Sequence, residues 1–452
     1  MNTNTNGTVE VLTQVGGNSK VVLHHHDYSD FVNVEIGSRS EPVALSGEDG
    51  AKLASGARTA LDHGIPLICH LNSTGAPPDS GVEALHGWGL AAKQLTKCSG
   101  VVPTIICVHQ TAVAGSALLL GLVDLVIMVD QSYTYVSGPR MVQEFTGVPV
   151  DHETLGGSGK HAQTSGVASF VVSDETEAEE LLEDILTLLP RNSACTPQPI
   201  STTDATDRKL TGIEKIIPEL TTGSYDVRDI LREVFDDGRV TEVRKEWATN
   251  LVTAFATIGG NTVGVVANQP QSLAGTLDIA ASQKGARFVS FCDAFNLPIV
   301  TFVDTPGFQP GKDLEWRGMI RHGAQLAFAY ARATVPRICV TLRKSYGGAY
   351  IVMDSKYMGN DLSLAWPSAE IAVMGAKGAV EILHRNVEKD ERQSLEVDYE
   401  NRLLNPYIAA ERGSVDMIIE PAETRAKVFA SLQPLLSKRE KLQKRIHSNT
   451  PL

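Results

Sequence analysis

The sequence predicts an α/β protein in which one fold occurs twice. The first observation is a repeated pattern: an apolar strand is followed by a glycine loop, and the loop by a helix. The second observation is spacing. Pro66 and Pro298 each lie nine residues before a glycine, and Pro103 and Pro336 each lie twelve residues before one. The members of these pairs are 232 and 233 residues apart, so the order of the signals is kept over a long distance.

The chain length agrees with this duplication. A chain of 452 residues commonly holds two or three domains. The clearest predicted linker is the tract 191–208, which is rich in Ser, Thr, Pro and Asp. We therefore predict an N-terminal domain over residues 1–205 and a C-terminal domain over residues 206–452. A further pair of motifs, Val136-Ser-Gly-Pro and Val373-Met-Gly-Ala, is 237 residues apart.

The elements of the first copy follow from periodicity. Residues 1 to about 20 are polar, and we predict that they are loose. Helices are expected over 50–62 and 82–95, and strands over 67–71 and 104–108. Glycine loops follow the strands at Gly75 and at Ala114-Gly115, and an apolar helix is expected after the second loop. An acidic amphipathic helix over 177–189 closes the copy.

The second copy is predicted to begin near residue 226, with a helix over 227–235 and a strand over 262–267. A helix over 276–295, a strand over 299–303 and a loop at Gly307 follow, and then a helix over 316–331. The tail from residue 420 is expected to be helical and to become basic, which is typical of a solvated face.

The stretch 334–353 carries the clearest chemical signal. It predicts a buried strand over 338–342, a turn on Gly347-Gly348 and a helix that starts near Ala349. Such a turn presents unpaired backbone N–H groups at the positive end of a helix. This arrangement suits the stabilisation of an oxyanion on a polarised carbonyl. Taken alone, the stretch is equally consistent with a tight strand-to-helix turn in an α/β fold.

Composition excludes several classes of function. A formal net charge of −13 speaks against nucleic acid and anionic membranes as partners. The longest apolar run, residues 112–128, contains Asp124, so we predict a core segment rather than a membrane span. The N-terminus lacks the features of a signal peptide.

Six scattered cysteines predict buried free thiols of a cytoplasmic protein. Adjacent histidines at 24–26 point to opposite faces of a strand, so no metal site is expected.

Longer motifs occur in both halves: Phe302-Val-Asp-Thr-Pro-Gly-Phe-Gln-Pro-Gly, Lys344-Ser-Tyr-Gly-Gly-Ala-Tyr, Asn405-Pro-Tyr-Ile-Ala-Ala-Glu-Arg-Gly, Leu155-Gly-Gly and Ser165-Gly-Val-Ala. These segments resemble those of a known family, the carboxyltransferase (β) subunits of biotin-dependent acyl-CoA carboxylases such as propionyl-CoA or acetyl-CoA carboxylase. The similarity covers roughly residues 45–430. The resemblance implies two tandem crotonase-like (ClpP-like) β-β-α superhelix domains.

The resemblance also implies the site. It places one oxyanion hole on the backbone N–H groups of Gly348 and Ala349, facing the ureido carbonyl of biotin. The internal offset of 233 maps the partner hole, for the acyl thioester carbonyl, onto Gly115 and Ser116. We expect substrate contacts from Gly347, Tyr346, Ile351, Ala114, Gly75, Ala76, Gly307 and Phe308. In the family the position of Ile351 lines the acyl pocket, and an apolar side chain there suits a small or apolar acyl group.

The implied reaction moves CO₂ from N1′-carboxybiotin on a carrier protein to the α-carbon of an acyl thioester. Negative charge develops on a carbonyl oxygen of both partners, and the released biotin nitrogen can serve as the base, so no side-chain nucleophile is needed. His161 is therefore expected to be structural. The sequence has no Met-Lys-Met biotinylation motif and no ATP-grasp glycine loop, so a biotin carboxylase and a biotin carrier must be separate subunits. A homo-hexamer, a trimer of dimers, is expected, with each site formed between different domains of two protomers.

Three departures from the family lie in the first half. The N-terminal helical segment is shorter, Pro77 stands where the family has Arg, and Thr111 and Ser116 replace two glycines. We therefore predict an unusual acceptor, such as a larger thioester or one carried on a protein. Two alternatives stay open. The chain could act in reverse, in a decarboxylase of a malonyl-type thioester, or it could be a non-catalytic scaffold.

Overall fold

The computed structural model describes residues 9–25, 29–220, 222–438, 440, 442–444 and 446–451. These residues form two compact units. The first contains the described residues up to 198 together with 244–247 and 294–296, and the second contains the remainder. The change from one unit to the other at residue 198 falls in the polar tract that was predicted as a linker. The predicted domain limits at residues 205 and 206 stay a prediction.

The first unit is built on a nine-stranded sheet. Its strands are β1 (Val9–Gly16), β2 (Ser19–His25), β3 (Phe31–Ile36), β4 (Val43–Ala44), β5 (Leu67–Gly75), β6 (Thr104–Val113), β7 (Leu125–Val129), β8 (Tyr133–Tyr135) and β9 (Phe170–Val172). Its helices are α1 (Gly47–His63), α2 (Glu83–Cys98), α3 (Gly115–Leu119), α4 (Pro139–Thr146), α5 (His152–Gly156), α6 (Ser158–Lys160) and α7 (Glu175–Leu188). The order is β1-β2-β3-β5-β6-β7-β9, with β4 beside β5 and β8 beside β6. β1 to β3 are antiparallel, and the strands from β3 to β9 pair in parallel.

The second unit repeats this arrangement in an eight-stranded sheet. Its strands are β10 (Val240–Glu242), β11 (Leu251–Ile258), β12 (Asn261–Asn268), β13 (Ile299–Thr305), β14 (Arg337–Tyr346), β15 (Leu362–Ala365), β16 (Glu370–Ala372) and β17 (Met417–Ile418). Its helices are α8 (Val227–Val234), α9 (Ile279–Ala294), α10 (Lys312–Trp316), α11 (Met319–Arg332), α12 (Gly347–Val352), α13 (Ala376–Leu383), α14 (Lys389–Tyr399), α15 (Pro406–Glu411) and α16 (Thr424–Leu432). The order is β10-β11-β12-β13-β14-β15-β17, with β16 beside β14.

The two sheets share an irregularity of register. In each copy one strand advances two residues while its parallel neighbour advances four. In the first sheet Leu71 pairs with Val108, and the next pair is Ser73 with Ala112. In the second sheet Val303 pairs with Thr341, and the next pair is Thr305 with Ser345. The corresponding positions differ by 232 and 233, the offset seen in the sequence. The predicted duplication of the strand-and-loop pattern is therefore confirmed at the level of main-chain pairing.

Helix α1 shows how local sequence sets the elements that hold the first loop. Its start has a capping box between Ser46 and Asp49, and its C-cap residue is Gly64, which has a φ of 61°. It crosses α2 at two glycines, because a Cβ on Gly50 would lie 2.2 Å from the carbonyl carbon of Gly87. Leu53, Ala57 and Ala60 of α1 are buried in the core formed with α2 and one face of the sheet.

Several predictions about the elements need correction. Of residues 1–20, which were predicted to be loose, 9–16 form β1 and 19–20 begin β2, because these two strands pair antiparallel, and 1–8 lie outside the described residues. The apolar helix expected after Gly115 is short, and the apolar run continues into the buried strand β7. The helix expected over 316–331 is α11, which begins only at Met319, because Gly318 with a φ of 96° separates it from the short helix α10. The described tail beyond residue 435 has no helix. No helix in the described part of the chain is long and apolar enough to cross a bilayer.

Candidate active site

The glycine loops of the second unit follow the two central parallel strands. The first loop leaves β13 through Thr305, whose hydroxyl accepts a hydrogen bond from the Gly307 N–H at 3.4 Å. The Gly307 carbonyl then accepts from the Leu277 N–H at 3.1 Å. Gly307 has a φ of 142°, and a Cβ there would meet nothing within 4 Å. This predicted site residue therefore borders open space.

The second loop is the start of α12. Gly347 has a φ of 58°, a conformation that glycine adopts without cost. The first N–H groups of a helix have no partner within it. Gly348 is exposed and Ala349 is buried, and neither donates in the main-chain bonds of described turns, loops and caps. The missing side chain of Gly348 leaves the opening by which an oxygen could approach this pair of amides.

The first unit repeats this turn with different side chains. Ala114 has φ 56° and ψ −125°, close in φ to its counterpart Gly347 although it carries a Cβ. Its N–H donates to the Tyr135 carbonyl at 2.9 Å. Gly115 follows half-buried, and Ser116 is fully buried. The Ser116 hydroxyl donates to the Val113 carbonyl at 2.7 Å, so this side chain bonds its own strand end.

An aromatic ring packs against the glycine of each turn. A Cβ on Gly348 would lie 3.3 Å from the ring of Phe308, which the sequence predicted as a site residue. A Cβ on Gly115 would lie 3.3 Å from the ring of Trp88 on α2, and the Trp88 Nε1–H donates to the Gly115 carbonyl at 2.6 Å. Sequence reasoning missed Trp88, because only the fold brings α2 to a loop 27 residues further along the chain.

An exposed aliphatic side chain lies three residues beyond each of these glycines. Leu118 is 50% exposed and Ile351 is 48% exposed, and their numbers differ by the same 233. A residue at i+3 shares a helix face with residue i. Each turn is thus flanked by an aromatic ring and by an apolar side chain that is open to a neighbour.

A buried charged cluster supports the turn of the second unit. Asp304 at the end of β13 accepts from Arg343 Nε at 3.0 Å, from the Tyr225 hydroxyl at 2.9 Å and from the Lys344 N–H at 3.1 Å. Burial raises the pKa of Asp304, and the neighbouring Arg343 opposes that shift. The cluster ties β13 to β14 just before both loops. Next to it, the Tyr346 hydroxyl donates to Glu370.

In the first unit a neutral amide takes the place of this carboxylate. Asn72 Oδ1 accepts from the Thr111 N–H at 3.2 Å, as Asp304 does from Lys344. Gly75 lies beside the turn, since a Cβ there would be 3.2 Å from the Ala114 Cβ. Ala76 is half-buried. The departure at Thr111 therefore keeps the main-chain tie between the two strands.

The remaining candidate residues have structural roles. Both ring nitrogens of His161 are engaged: Nδ1 lies 2.6 Å from the Ser165 hydroxyl and Nε2 lies 2.8 Å from the Thr134 carbonyl oxygen. His25 pairs with Asp30, His24 stacks on Phe31, and His26 lies outside the described residues. All six cysteines are free thiols, and only Cys195 is not buried.

Fold and site together define a class of protein. Each unit ends a buried parallel strand in a turn that presents main-chain N–H groups at a helix start, and the Ser116 hydroxyl on the first of these turns donates to the Val113 carbonyl of its own strand. Such groups stabilise negative charge that develops on a carbonyl oxygen. The fold and the two turns suit a class of enzymes that act on carbonyl compounds and stabilise an oxyanion with main-chain N–H groups.

Comparison with known proteins specifies the family. A family model described as the carboxyl transferase domain matches residues 42–450. A propionyl-CoA carboxylase carboxyltransferase subunit of Haloferax mediterranei is 44% identical over 400 residues, which cover 87% of this chain and 78% of the relative. The α subunit of a methylmalonyl-CoA decarboxylase of Veillonella parvula is 40% identical over 420 residues, covering 93% of this chain and 81% of the relative.

Solved structures agree. A crystal structure of transcarboxylase 12S, a hexamer assembly with hydrolysed methylmalonyl-coenzyme A bound, has a TM-score of 0.93 and 36% identity, covering 96% of this chain and 85% of that one. The chain belongs to the carboxyl transferase domain family, as a carboxyltransferase subunit of the acyl-CoA carboxylase type. The predicted crotonase-like fold and enzymatic activity are confirmed by these matches.

Proposed function

We propose that this subunit transfers CO₂ from carboxybiotin on a separate carrier protein to the α-carbon of an acyl-CoA. The observation that carries the proposal is the pair of equivalent turns at Gly115 and Gly348, with Ala114 and Gly347 at φ 56° and 58°. Two carbonyl groups become negatively charged in such a transfer, and the chain contains two places built to receive them.

The second unit is proposed to receive the biotin side. The N–H groups of Gly348 and Ala349 would donate to the ureido oxygen, and Phe308 would wall the opening beside Gly348. The exposed Gly348 and the open space at Gly307 leave the approach to these amides open for the ureido group. Carboxybiotin supplies the CO₂. The residues of this chain orient the ureido group and stabilise the charge on its oxygen.

The first unit is proposed to receive the thioester. The N–H groups of Gly115 and Ser116 would donate to the thioester oxygen, which lowers the energy of the form that has lost its α-proton. The departures at Thr111 and Ser116 are compatible with this geometry, because the Ser116 hydroxyl donates to the Val113 carbonyl of β6 and the Thr111 N–H donates to Asn72. The names of the relatives favour a short-chain acyl-CoA as acceptor.

Partners and assembly complete the proposal. Biotin carboxylase and the biotin carrier are proposed to be separate subunits of a complex that works in the cytoplasm. A homo-hexamer is proposed after the transcarboxylase 12S structure. Exposed apolar side chains at equivalent places in the two units favour contact with other copies: Val136 and Val373, Phe145 and Ile382.

Reconstitution tests the function. The subunit is combined with a biotin carboxylase, a biotinylated carrier, ATP and ¹⁴C-bicarbonate, and acetyl-, propionyl- and butyryl-CoA are compared. We expect acid-stable label in a short acyl-CoA, and efficient use of propionyl-CoA would remove the prediction of an unusual acceptor. Label in none of the three, with a carrier that is fully carboxylated, would contradict the proposal.

The reverse direction is a second candidate, favoured by the identity of 40% to the methylmalonyl-CoA decarboxylase subunit. The same two oxyanion holes serve both directions of CO₂ transfer, so the partner subunits determine which direction is used. Purification of the native complex with an ATP-dependent biotin carboxylase would favour carboxylation. A native complex that contains the carrier but no such subunit, and that releases CO₂ from methylmalonyl-CoA, would favour decarboxylation.

A further inference from the structure

Trp88 contacts the turn that carries the proposed thioester hole. Its ring is half-buried on α2, and its Nε1–H donates to the Gly115 carbonyl at 2.6 Å. The same ring lies 3.3 Å from the place where a Gly115 Cβ would be. Indole N–H groups in partly buried sites normally find a partner, and here the partner is main chain at the centre of the turn.

The bonded carbonyl belongs to a peptide group that matters for the hole. The Gly115 carbonyl and the Ser116 N–H are the two ends of one planar, trans peptide. A side chain that holds the carbonyl in one direction therefore holds the N–H in the opposite direction. A hydrogen bond accepted by the carbonyl also polarises the peptide, which strengthens its N–H as a donor.

The described turn of the second unit has a different ring. The ring that packs at 3.3 Å against Gly348 is Phe308, which has no N–H to donate. The main-chain turn is thus repeated, but the aromatic ring that contacts its glycine can donate a hydrogen bond in the first unit and cannot in the second. The difference points to a role on the thioester side.

We infer that Trp88 is a positioning residue for the thioester oxyanion hole: its indole N–H orients and polarises the Gly115–Ser116 peptide. The inference rests on the proposed function, because it assigns this peptide to the thioester oxygen. Trp88 itself is not expected to touch the reacting atoms. Its loss should therefore lower the rate of the step at the thioester more than it weakens binding of the acyl-CoA.

The test compares two replacements in the reconstituted enzyme. Trp88→Phe keeps an aromatic ring of the kind that Phe308 provides in the second unit. Replacement of Trp88 by benzothienylalanine keeps the bicyclic shape and removes only the N–H. We expect both to lower kcat about tenfold, well below the cost of deleting a hole donor, and to change the KM for acyl-CoA less than threefold. Trp316→Phe, at a ring that is 76% exposed on α10, is the control and should leave both constants unchanged.

A second readout separates positioning from a folding defect. The loss of CO₂ from pre-carboxylated carrier without acyl-CoA depends on the biotin side, and we expect it to keep its wild-type rate in both variants. An unchanged kcat with benzothienylalanine would overturn the inference, and so would an equal fall in both reactions. Absence of acyl-CoA carboxylation in the wild-type protein would instead overturn the proposed function, so the two failures are distinguishable.

Discussion

At the scale of single residues, the two turns require the same positive φ, but one has glycine at that position and the other has alanine. Gly347 reaches its φ of 58° with no Cβ, whereas Ala114 holds φ 56° and ψ −125° with one. Non-glycine residues in such regions cost roughly 1–3 kcal/mol and persist only where the surroundings enforce them. Around Ala114 the constraints are the bond from its N–H to Tyr135 and the packing of Gly75 against it. The strain lies next to a proposed hole donor.

This strain leads to a prediction about stability. Ala114→Gly should raise the free energy of unfolding by about 1 kcal/mol, because removal of the strain exceeds the entropy cost of glycine. Thermal or denaturant unfolding measures it. The control is Ala117→Gly in α3, where glycine relieves no strain and should be destabilising. A fall in stability for Ala114→Gly equal to that of Ala117→Gly would contradict the interpretation.

At the scale of elements, the same pair of strands carries different side chains in the two units. His70 on β5 and His109 on β6 occupy the positions of Phe302 and Leu342 in the second unit. His70 Nδ1 lies 2.9 Å from His109 Nε2, and His109 Nδ1 lies 2.5 Å from the Glu175 carboxylate on α7. Burial lowers the pKa of both histidines, most strongly for His70. Other charged groups that act on the pair are Arg39, Glu179 and His24.

The histidine pair predicts acid sensitivity. A histidine with a native pKa below its unfolded value of about 6.5 contributes full stability above that pH, and the contribution falls as the pH drops below it. Each unit of depression corresponds to about 1.4 kcal/mol. The double variant H70F/H109L carries the residues of the second unit. It should therefore lose less stability between pH 7.5 and pH 5.5 than the wild type.

Unfolding midpoints at the two pH values measure this difference. H86Q is the control, because His86 is exposed on α2 and should leave the pH dependence as it is. An equal loss of stability in the wild type and in the double variant would show that the histidine pair does not cause the acid sensitivity.

Helices and strands could be predicted from the sequence where neighbouring residues alone indicate them. The parallel strands at β5, β6, β13 and β14 follow from apolar runs bounded by proline and glycine. The antiparallel pair β1 and β2 was not predicted, because the Asn- and Thr-rich residues 1–8 obscure the apolar Val9, Val11, Leu12 and Val15 that follow them. Trp88 could not be found from spacing, since its partner at Gly115 is set by the crossing of α2 over the sheet. The Asp304 cluster was equally hidden, because Tyr225 joins it from 79 residues away.

At the scale of the whole molecule, the two units share their main-chain geometry but differ in the side chains that surround the turns. Equivalent turns, the same register irregularity and the same tie from Asn72 or Asp304 to the next strand occur in both units. The side chains around them differ: Trp88 against Phe308, Leu118 against Ile351. This pattern fits an enzyme in which main-chain N–H groups perform the common chemistry and side chains distinguish the two substrates.

The most direct measurement is a structure of the subunit with propionyl-CoA and biotin bound. We predict that the thioester oxygen lies about 3 Å from the N–H groups of Gly115 and Ser116, and the ureido oxygen about 3 Å from those of Gly348 and Ala349. Carbonyl oxygens that are held by side chains, or that lie away from both turns, would contradict it.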